Sequence, residues 1–367
     1  MLMFDRRLVS HFDLGLLALA VGVITAGVAT IVSATYSPGA LLSSSAVRQI
    51  AWALLGLAAM IGMVFFDYKQ LERYAYVIYG AGLALLLLVP LAGSVGGGSR
   101  RWLVLGPVSI QPSEVMKVAL VIALARLLAS RVGASPMSLR TLIPVGLLVA
   151  VPSLLILAQP DLGTALLFGF VALSVLLLAG LRVRWLLLAV AVVAPMLPPI
   201  WSHLKPYQQR RILTFLDPQA DPLGAGYHVI QSEIAIGSGG FGGKGYLEGT
   251  QNHLNFLPEQ HTDFIFSVFA EEWGFVGACG LLLLYLCLVG RGLVIASRAK
   301  DNFGMLLAFG ITCIVFWQVF INIGMASGIL PVVGITLPMF SYGGSSLLAI
   351  LMGLGAVLNV NMRRFTF

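Results

Sequence analysis

Residues 304–326 read GMLLAFGITCIVFWQVFINIGMA, and this stretch decides the fold. It runs 23 residues without an Asp, Glu, Lys or Arg. A helix rising about 1.5 Å per residue needs about 20 residues to cross the hydrocarbon core of a bilayer. Within lipid each backbone polar group must find its partner inside the segment, so the stretch predicts a helix. Working outward, comparable runs flank it at 264–290 and 340–360. Others precede them at 14–34, 46–66, 74–91, 113–129, 141–158, 163–180 and 183–201. Composition agrees. Of 367 residues, 59% are hydrophobic and 10% charged, with a mean hydropathy of +0.95. A soluble domain carries roughly 25% charged residues. The expected fold is all-α: a polytopic membrane protein of about ten transmembrane helices, forming one transmembrane domain over 1–367.

Ten spans place both termini on one side, and charge chooses the side. With the amino terminus inside, 14 Lys and Arg fall on cytoplasmic segments and eight on outer ones. Four of those eight (Lys205, Arg210, Arg211 and Lys244) share one long loop, which the short-loop rule discounts. Both termini are therefore expected in the cytoplasm. The net charge of +7 then reports topology at an anionic membrane face, and no nucleic-acid partner is expected. Arg6 and Arg7 resemble the start of a signal peptide, but the apolar run behind them is too long and nine more spans follow. Cys279, Cys287 and Cys313 fall inside spans and are expected as buried thiols.

The pattern breaks at 202–263, a large extracytoplasmic loop between spans 7 and 8. Its segments 207–216 and 227–236 are amphipathic and predict short interfacial helices. Asp217-Pro218 and Asp221-Pro222 mark turns. Gly237–Gly245 reads GSGGFGGKG, but Ser238 and Gly245 break the phosphate-loop pattern. It is expected as a flexible or tightly turned segment that could still approach a phosphate. The five histidines show no metal-ligand spacing, and no Ser–His–Asp set is compelling.

The residues with chemistry cluster on outward segments. Glu114 and Lys117 lie three apart at the start of a span and share a helix face; they are a functional pair or a self-neutralising one. Asp161 precedes a span and reads equally as a helix cap. Asp263 precedes an apolar run at the membrane boundary, and again cap and function compete. Glu271 and Glu272 follow two turns later, where packing against polar groups of a neighbouring helix is the plain reading. Arg101, Arg210, Arg211 and Lys244 offer the cations that a diphosphate needs. These residues alone fit an enzyme acting on a lipid-linked phosphate, or a transporter of an anionic substrate.

Several motifs together resemble the SEDS family (shape, elongation, division and sporulation). They are GSRRWL…QPSE…K over 98–117, AQPDLGTALL over 158–167, and DPLGAGYHVIQSEIAIGSGG from 221 through FLPEQHTDFIFSV ending at 268. NIGMASGILPVVGITLP at 322–338 and SYGGSSLL at 341–348 complete the set. The likeness covers nearly the whole chain, in order. DYKQLERYAY at 67–76 and GTQNHLNFLPEQHTDFIFSV at 249–268 are most like the member serving elongation, with the division member next.

The resemblance implies a peptidoglycan glycosyltransferase that polymerises lipid II into β-1,4 glycan and releases undecaprenyl diphosphate. It places the enzyme in the bacterial cytoplasmic membrane with its site facing outward. It puts the essential carboxylate on Asp263, assigned as general base of an inverting displacement. It puts substrate-binding positions on Arg101, Gln111, Glu114, Lys117, Asp161, Gln208 and Arg211, and Lys244 joins them as a cation. Glu114 either orients Lys117 or holds a divalent cation (Mg or Mn) with Asp161. The implied partners are a class B penicillin-binding protein, which supplies transpeptidation, and the elongation proteins MreC and MreD. The rival readings are a lipid II flippase and a non-catalytic scaffold.

Overall fold

The computed structural model describes residues 11–36, 42–96, 99–106, 108–133, 139–182, 213–220, 226–253 and 260–364, with a few isolated positions between 184 and 209. The chain enters through α1 (Leu14–Ala34), which Asp13 caps by accepting a hydrogen bond from the Leu16 amide (3.0 Å). Then come α2 (Ser44–Phe65), the short α3 (Tyr68–Arg73) and α4 (Ala75–Ala92). After a small sheet follow α5 (Pro112–Leu128), α6 (Leu139–Ala158) and α7 (Leu162–Leu178). Later come α8 (Tyr227–Ser238), the four-residue α9 (Thr250–His253), α10 (Ile265–Ser297), α11 (Asn302–Ala326) and α12 (Gly344–Met362).

Seven of these helices are long and apolar enough to cross a membrane, among them α1, α2, α4 and α10 to α12. The protein is a polytopic membrane protein. The seventh expected span, 183–201, lies mostly outside the described residues.

α11 and α12 make the centre of the bundle. In their most apolar windows 72% and 78% of residues are buried, against 22% for α2 and α6 at the periphery. Lipid offers no hydrophobic drive for helices to associate, so close backbone approach through small residues does that work. A β-carbon on Gly355 of α12 would lie 2.5 Å from the Met60 carbonyl of α2, and one on Gly27 of α1 would lie 2.6 Å from the Phe340 backbone. Asn359 ties the two helices further, its amide donating to the carbonyls of Met63 and Val64 (3.0 and 2.9 Å) and of Phe66.

Three observations depart from the sequence reading. The segment around Ser99-Arg100-Arg101-Trp102, expected as a loop, is strand. β1 (Ser94–Gly96), β2 (Ser99–Leu105) and β3 (Val108–Ile110) form an antiparallel sheet in that order, with Leu103 opposite Ile110. The strands are too short to stand out from loop by pattern. Cys279 and Cys287, expected buried, sit on the exposed side of α10, and only Cys313 is buried. In lipid that exposure is no cost for a small apolar side chain.

The third departure is α10 itself. Its 33 residues, about 50 Å at 1.5 Å each, exceed the expected span and the roughly 30 Å hydrocarbon core. Gly274 breaks it, with φ 63° and ψ −163°. The Gly237–Gly245 segment splints the break. The Phe275 and Val276 amides donate to the carbonyls of Gly240 and Phe241 (2.9 and 3.2 Å). The Lys244 and Gly245 amides donate to Glu271 and Glu272 (3.1 and 3.0 Å). Backbone meets backbone so closely at Gly243 and Gly274 that neither position has room for a β-carbon. Of the amphipathic segments, 227–236 is helical within α8, and residues 213–216 form a single helical turn. Asp217 makes the expected turn, its carboxylate accepting from the Gln219 amide (3.1 Å).

Candidate active site

The turn before α10 carries His261, Thr262 and Asp263, and the loop between α11 and α12 holds it from two sides. The Ser341 hydroxyl donates to the Thr262 carbonyl (2.6 Å), and the Tyr342 amide donates to the His261 carbonyl (2.9 Å). Gln49 of α2 fixes that loop, donating to Ser341 O (3.1 Å) and accepting from the Gly343 amide (3.2 Å). Asn322, fully buried near the end of α11, donates through Nδ2 to the carbonyls of Asp263 (2.9 Å) and Ile335 (2.7 Å). Asp263 itself is half-buried, and a β-carbon on Gly334 would lie 3.4 Å from its Oδ2. The carboxylate therefore faces a loop position with no side chain.

One residue earlier the same loop meets the Gln159-Pro160-Asp161 turn. A β-carbon on Gly163 would lie 2.6 Å from the Val333 carbonyl. Asp161 does cap α7, accepting from the Thr164 amide (3.2 Å) and hydroxyl (2.9 Å). Arg101, on β2, reaches over this turn. Its Nε donates to the Gln159 carbonyl (3.0 Å), its Nη2 donates to the Pro160 carbonyl, and its Nη1 lies 3.9 Å from Asp161 Oδ2. The sheet thus exists, in part, to place a guanidinium over the carboxylate-bearing turn.

α5 completes the group. Gln111 precedes it, its amide donating to the Ser345 hydroxyl (3.3 Å) at the start of α12. Pro112 occupies the first turn, where its missing N–H costs nothing. One turn in, Lys117 Nζ lies 2.6 Å from Glu114 Oε2, and both residues are buried. Arg101, Gln111, Glu114, Lys117, Asp161 and Asp263 thus share one end of the bundle, linked through residues 331–346.

Lys244 belongs to a different cluster. Its ammonium lies 2.6 Å from Glu271 Oε1 and donates to the Thr250 hydroxyl (2.8 Å). The same carboxylate oxygen accepts from the Gln251 amide (3.1 Å). Glu272 accepts from Ser33 of α1. The polar partners expected for Glu272 come from a neighbouring helix; those of Glu271 come from the 238–251 segment. Gln208 and Arg211, with Tyr207, Lys205 and Arg210, lie outside the described residues.

As a metal site the acidic pair fits poorly. Glu114 faces Lys117, Asp161 faces Thr164 and Arg101, and among the described residues no group of three or more His, Cys, Asp or Glu could hold a metal ion. Asn322, Gly334 and Ser341 lie within motifs that carried the family resemblance but had no role assigned from sequence, and Gln49 had none either. An asparagine inside an otherwise uncharged span was the available signal for the first, since polar groups in a membrane helix usually have a partner to hold.

A membrane-spanning helical bundle with a carboxylate, a capped acidic turn and buried or clamped cations gathered at one end defines a class: an integral membrane protein with a cluster of ionisable side chains at one end of its bundle. Comparison with known proteins narrows it. The FtsW/RodA/SpoVE family model, described as cell cycle protein, matches residues 10–365, and the chain belongs to this family. It is 48% identical to the peptidoglycan glycosyltransferase MrdB of Escherichia coli strain K12, over 86% of this chain and 85% of that one. Its structure is similar to that of the rod shape determining protein RodA of Thermus thermophilus (TM-score 0.72, 34% identity, 97% and 98% of the chains). It is similar also to a chain from a structure described as the coordination of polymerisation and crosslinking by a peptidoglycan synthase complex. There the TM-score is 0.83 and the identity 37%, over 97% of this chain and 99% of the other.

Proposed function

We propose that the protein is a peptidoglycan glycosyltransferase serving cell elongation, which polymerises lipid II at the outer rim of the bacterial cytoplasmic membrane. The observation that carries the reading is the double clamp on the Asp263 turn, by Asn322 and by Ser341, beside the Arg101–Asp161 turn. These bonds fix the main chain of the turn that carries the Asp263 carboxylate, and a displacement at a sugar carbon needs a positioned base.

In the proposed reaction the acceptor hydroxyl attacks the anomeric carbon of an α-linked glycosyl diphosphate. The new carbon–oxygen bond forms as the bond to the diphosphate oxygen breaks, which inverts the centre to β. Asp263 takes the hydroxyl proton. The diphosphate leaves as an anion and needs its charge offset rather than a proton from an acid. Arg101 keeps N–H groups beyond those spent on Gln159 and Pro160 and supplies positive charge at the rim, whereas the charge of Lys117 is taken up by buried Glu114. Gln111, Gln208 and Arg211 are proposed to complete the headgroup site. Lys244 is assigned to neutralising Glu271 at the break in α10. A divalent cation would offset diphosphate charge, but Glu114 and Asp161, engaged with Lys117, Arg101 and Thr164, would not hold it.

An apolar groove of about 640 Å³ between α10 and α11, lined by residues such as Leu286, Phe316, Phe320 and Ile323, reaches Leu330 at the start of the Asp263-facing loop. It suits a polyprenyl tail whose headgroup emerges at the site. The proposed partner is a class B penicillin-binding protein, within an elongation assembly including MreC and MreD. Both termini are placed in the cytoplasm, on ten spans.

The test is a gel assay for glycan polymer, using the purified protein with its class B partner, lipid II and a divalent cation. Polymer longer than the lipid II unit supports the enzyme. No polymer, with the partner bound and its transpeptidase site intact, argues for a flippase or a scaffold.

A further inference from the structure

At the end of the bundle away from Asp263, a second cavity of about 720 Å³ opens where α3 to α6 meet the start of α11. Helix direction fixes its place. α5 runs from Gln111 at the site to Arg126 at this cavity, and α11 runs from Asn302 here to Asn322 at Asp263. At 17 residues, α5 separates the two ends by about 25 Å.

The cavity is bordered by three cations and two carboxylates, and both carboxylates are already engaged. Glu72 pairs with Arg126. Asp301 accepts from the Tyr68 hydroxyl (2.6 Å) and caps α11 through the Gly304 amide (2.7 Å). Lys69 and Arg131 are exposed on the same rim, and neither has a carboxylate within ion-pair distance among the described residues. Part of the wall is apolar, made by Tyr76, Leu127, Pro144 and Phe303. From this wall an apolar surface runs on along the bundle: Val77 of α4 is 68% exposed, and Ile143 and Leu147 of α6 are 62% and 59% exposed. The Tyr79 hydroxyl, donating to the Leu148 carbonyl (2.9 Å), joins these two helices into one face.

Positive charge with no carboxylate partner among the described residues, at a helix end, continuous with an apolar face along the helices, is the chemistry of an anionic phospholipid: phosphate on the cations, acyl chains on the face. We propose that this cavity binds the phosphate headgroup of an anionic phospholipid from the leaflet opposite the active site, with Lys69 and Arg131 as its cations. The site is separate from the lipid II chemistry and does not depend on it.

The experiment places the full-length protein in nanodiscs of dioleoylphosphatidylcholine doped with dioleoylphosphatidylglycerol and counts the phosphatidylglycerol molecules retained in native mass spectrometry. Lys69→Gln/Arg131→Gln is predicted to lose retention about tenfold. Arg182→Gln/Arg298→Gln, which removes the same charge from the same end, is predicted to retain it. Thermal unfolding of each variant confirms folding, and Arg131→Gln alone, at an exposed position, serves if the double variant does not fold. Equal loss from both double variants would reduce the effect to diffuse attraction and overturn the site. Undiminished retention by the Lys69/Arg131 variant would overturn it as well. Displacement of the lipid by millimolar inorganic phosphate would overturn the lipid assignment in favour of a site for free phosphate.

Discussion

Asn322 makes the residue-scale case. One side-chain amide satisfies two carbonyls, those of Asp263 and Ile335, at 2.9 and 2.7 Å, from a fully buried position. Removing the donor leaves one buried and one part-buried acceptor without it, at a cost of about 1–3 kcal/mol. Asn322→Ala is therefore predicted to slow polymerisation with little change in the KM for lipid II, because it loosens the base and not the binding groups. A KM that rises while kcat holds would contradict that role. Glu114 and Lys117 make a different case. Breaking a buried ion pair by removing one partner costs about 3–5 kcal/mol, while replacing both with apolar groups is often neutral. Lys117→Met should lower the unfolding temperature markedly, and Glu114→Leu/Lys117→Met should recover much of the loss. If the double variant is no more stable than the single, the pair is not mutual.

At the scale of the element, the broken helix α10 is the instructive one. Backbone carbonyls and amides freed inside a membrane must be paired again, and the 240–245 segment pairs them. Gly243→Ala puts a β-carbon into the Glu272 carbonyl and should separate segment from helix. The prediction is faster amide hydrogen exchange across 271–276 in the variant; unchanged protection there would mean that the splint does not hold the break. Here too the limits of sequence reading show their causes. The spans were legible because each is a long apolar run, and Asp161 and Asp263 were legible at helix starts. The sheet was not, since strands of three to seven residues leave no periodicity to read. The Gly237–Gly245 segment reads in sequence as flexible or tightly turned, but its purpose depends on Gly274, nearly thirty residues further on, and no local pattern links the two. The latch from Arg101 to the Gln159–Asp161 turn likewise spans about sixty residues and needs the fold to appear.

For the whole molecule, the described chemistry separates by end. The acidic and basic residues of the proposed reaction meet at the rim where α5 and α12 begin, and the basic cavity lies where α5 finishes. Polymerisation on the outer face predicts one-sided access. In intact cells, a membrane-impermeant thiol reagent should label Glu248→Cys, on the loop side of α10, and should spare Lys69→Cys until the membrane is opened, in a background with Cys279, Cys287 and Cys313 replaced. Labelling of both from outside would contradict the topology. The central claim is that Asp263 is the base of a membrane glycosyltransferase, and it is tested most directly by Asp263→Asn. That variant keeps the shape and the Asn322 hydrogen bond, which goes to the main chain, and removes the negative charge and with it the ability to take a proton. Assayed on purified lipid II beside the wild type, with its class B partner bound and its unfolding temperature unchanged, it is predicted to give no glycan polymer where the wild type gives long chains. Polymer of normal length and rate from Asp263→Asn would contradict the account.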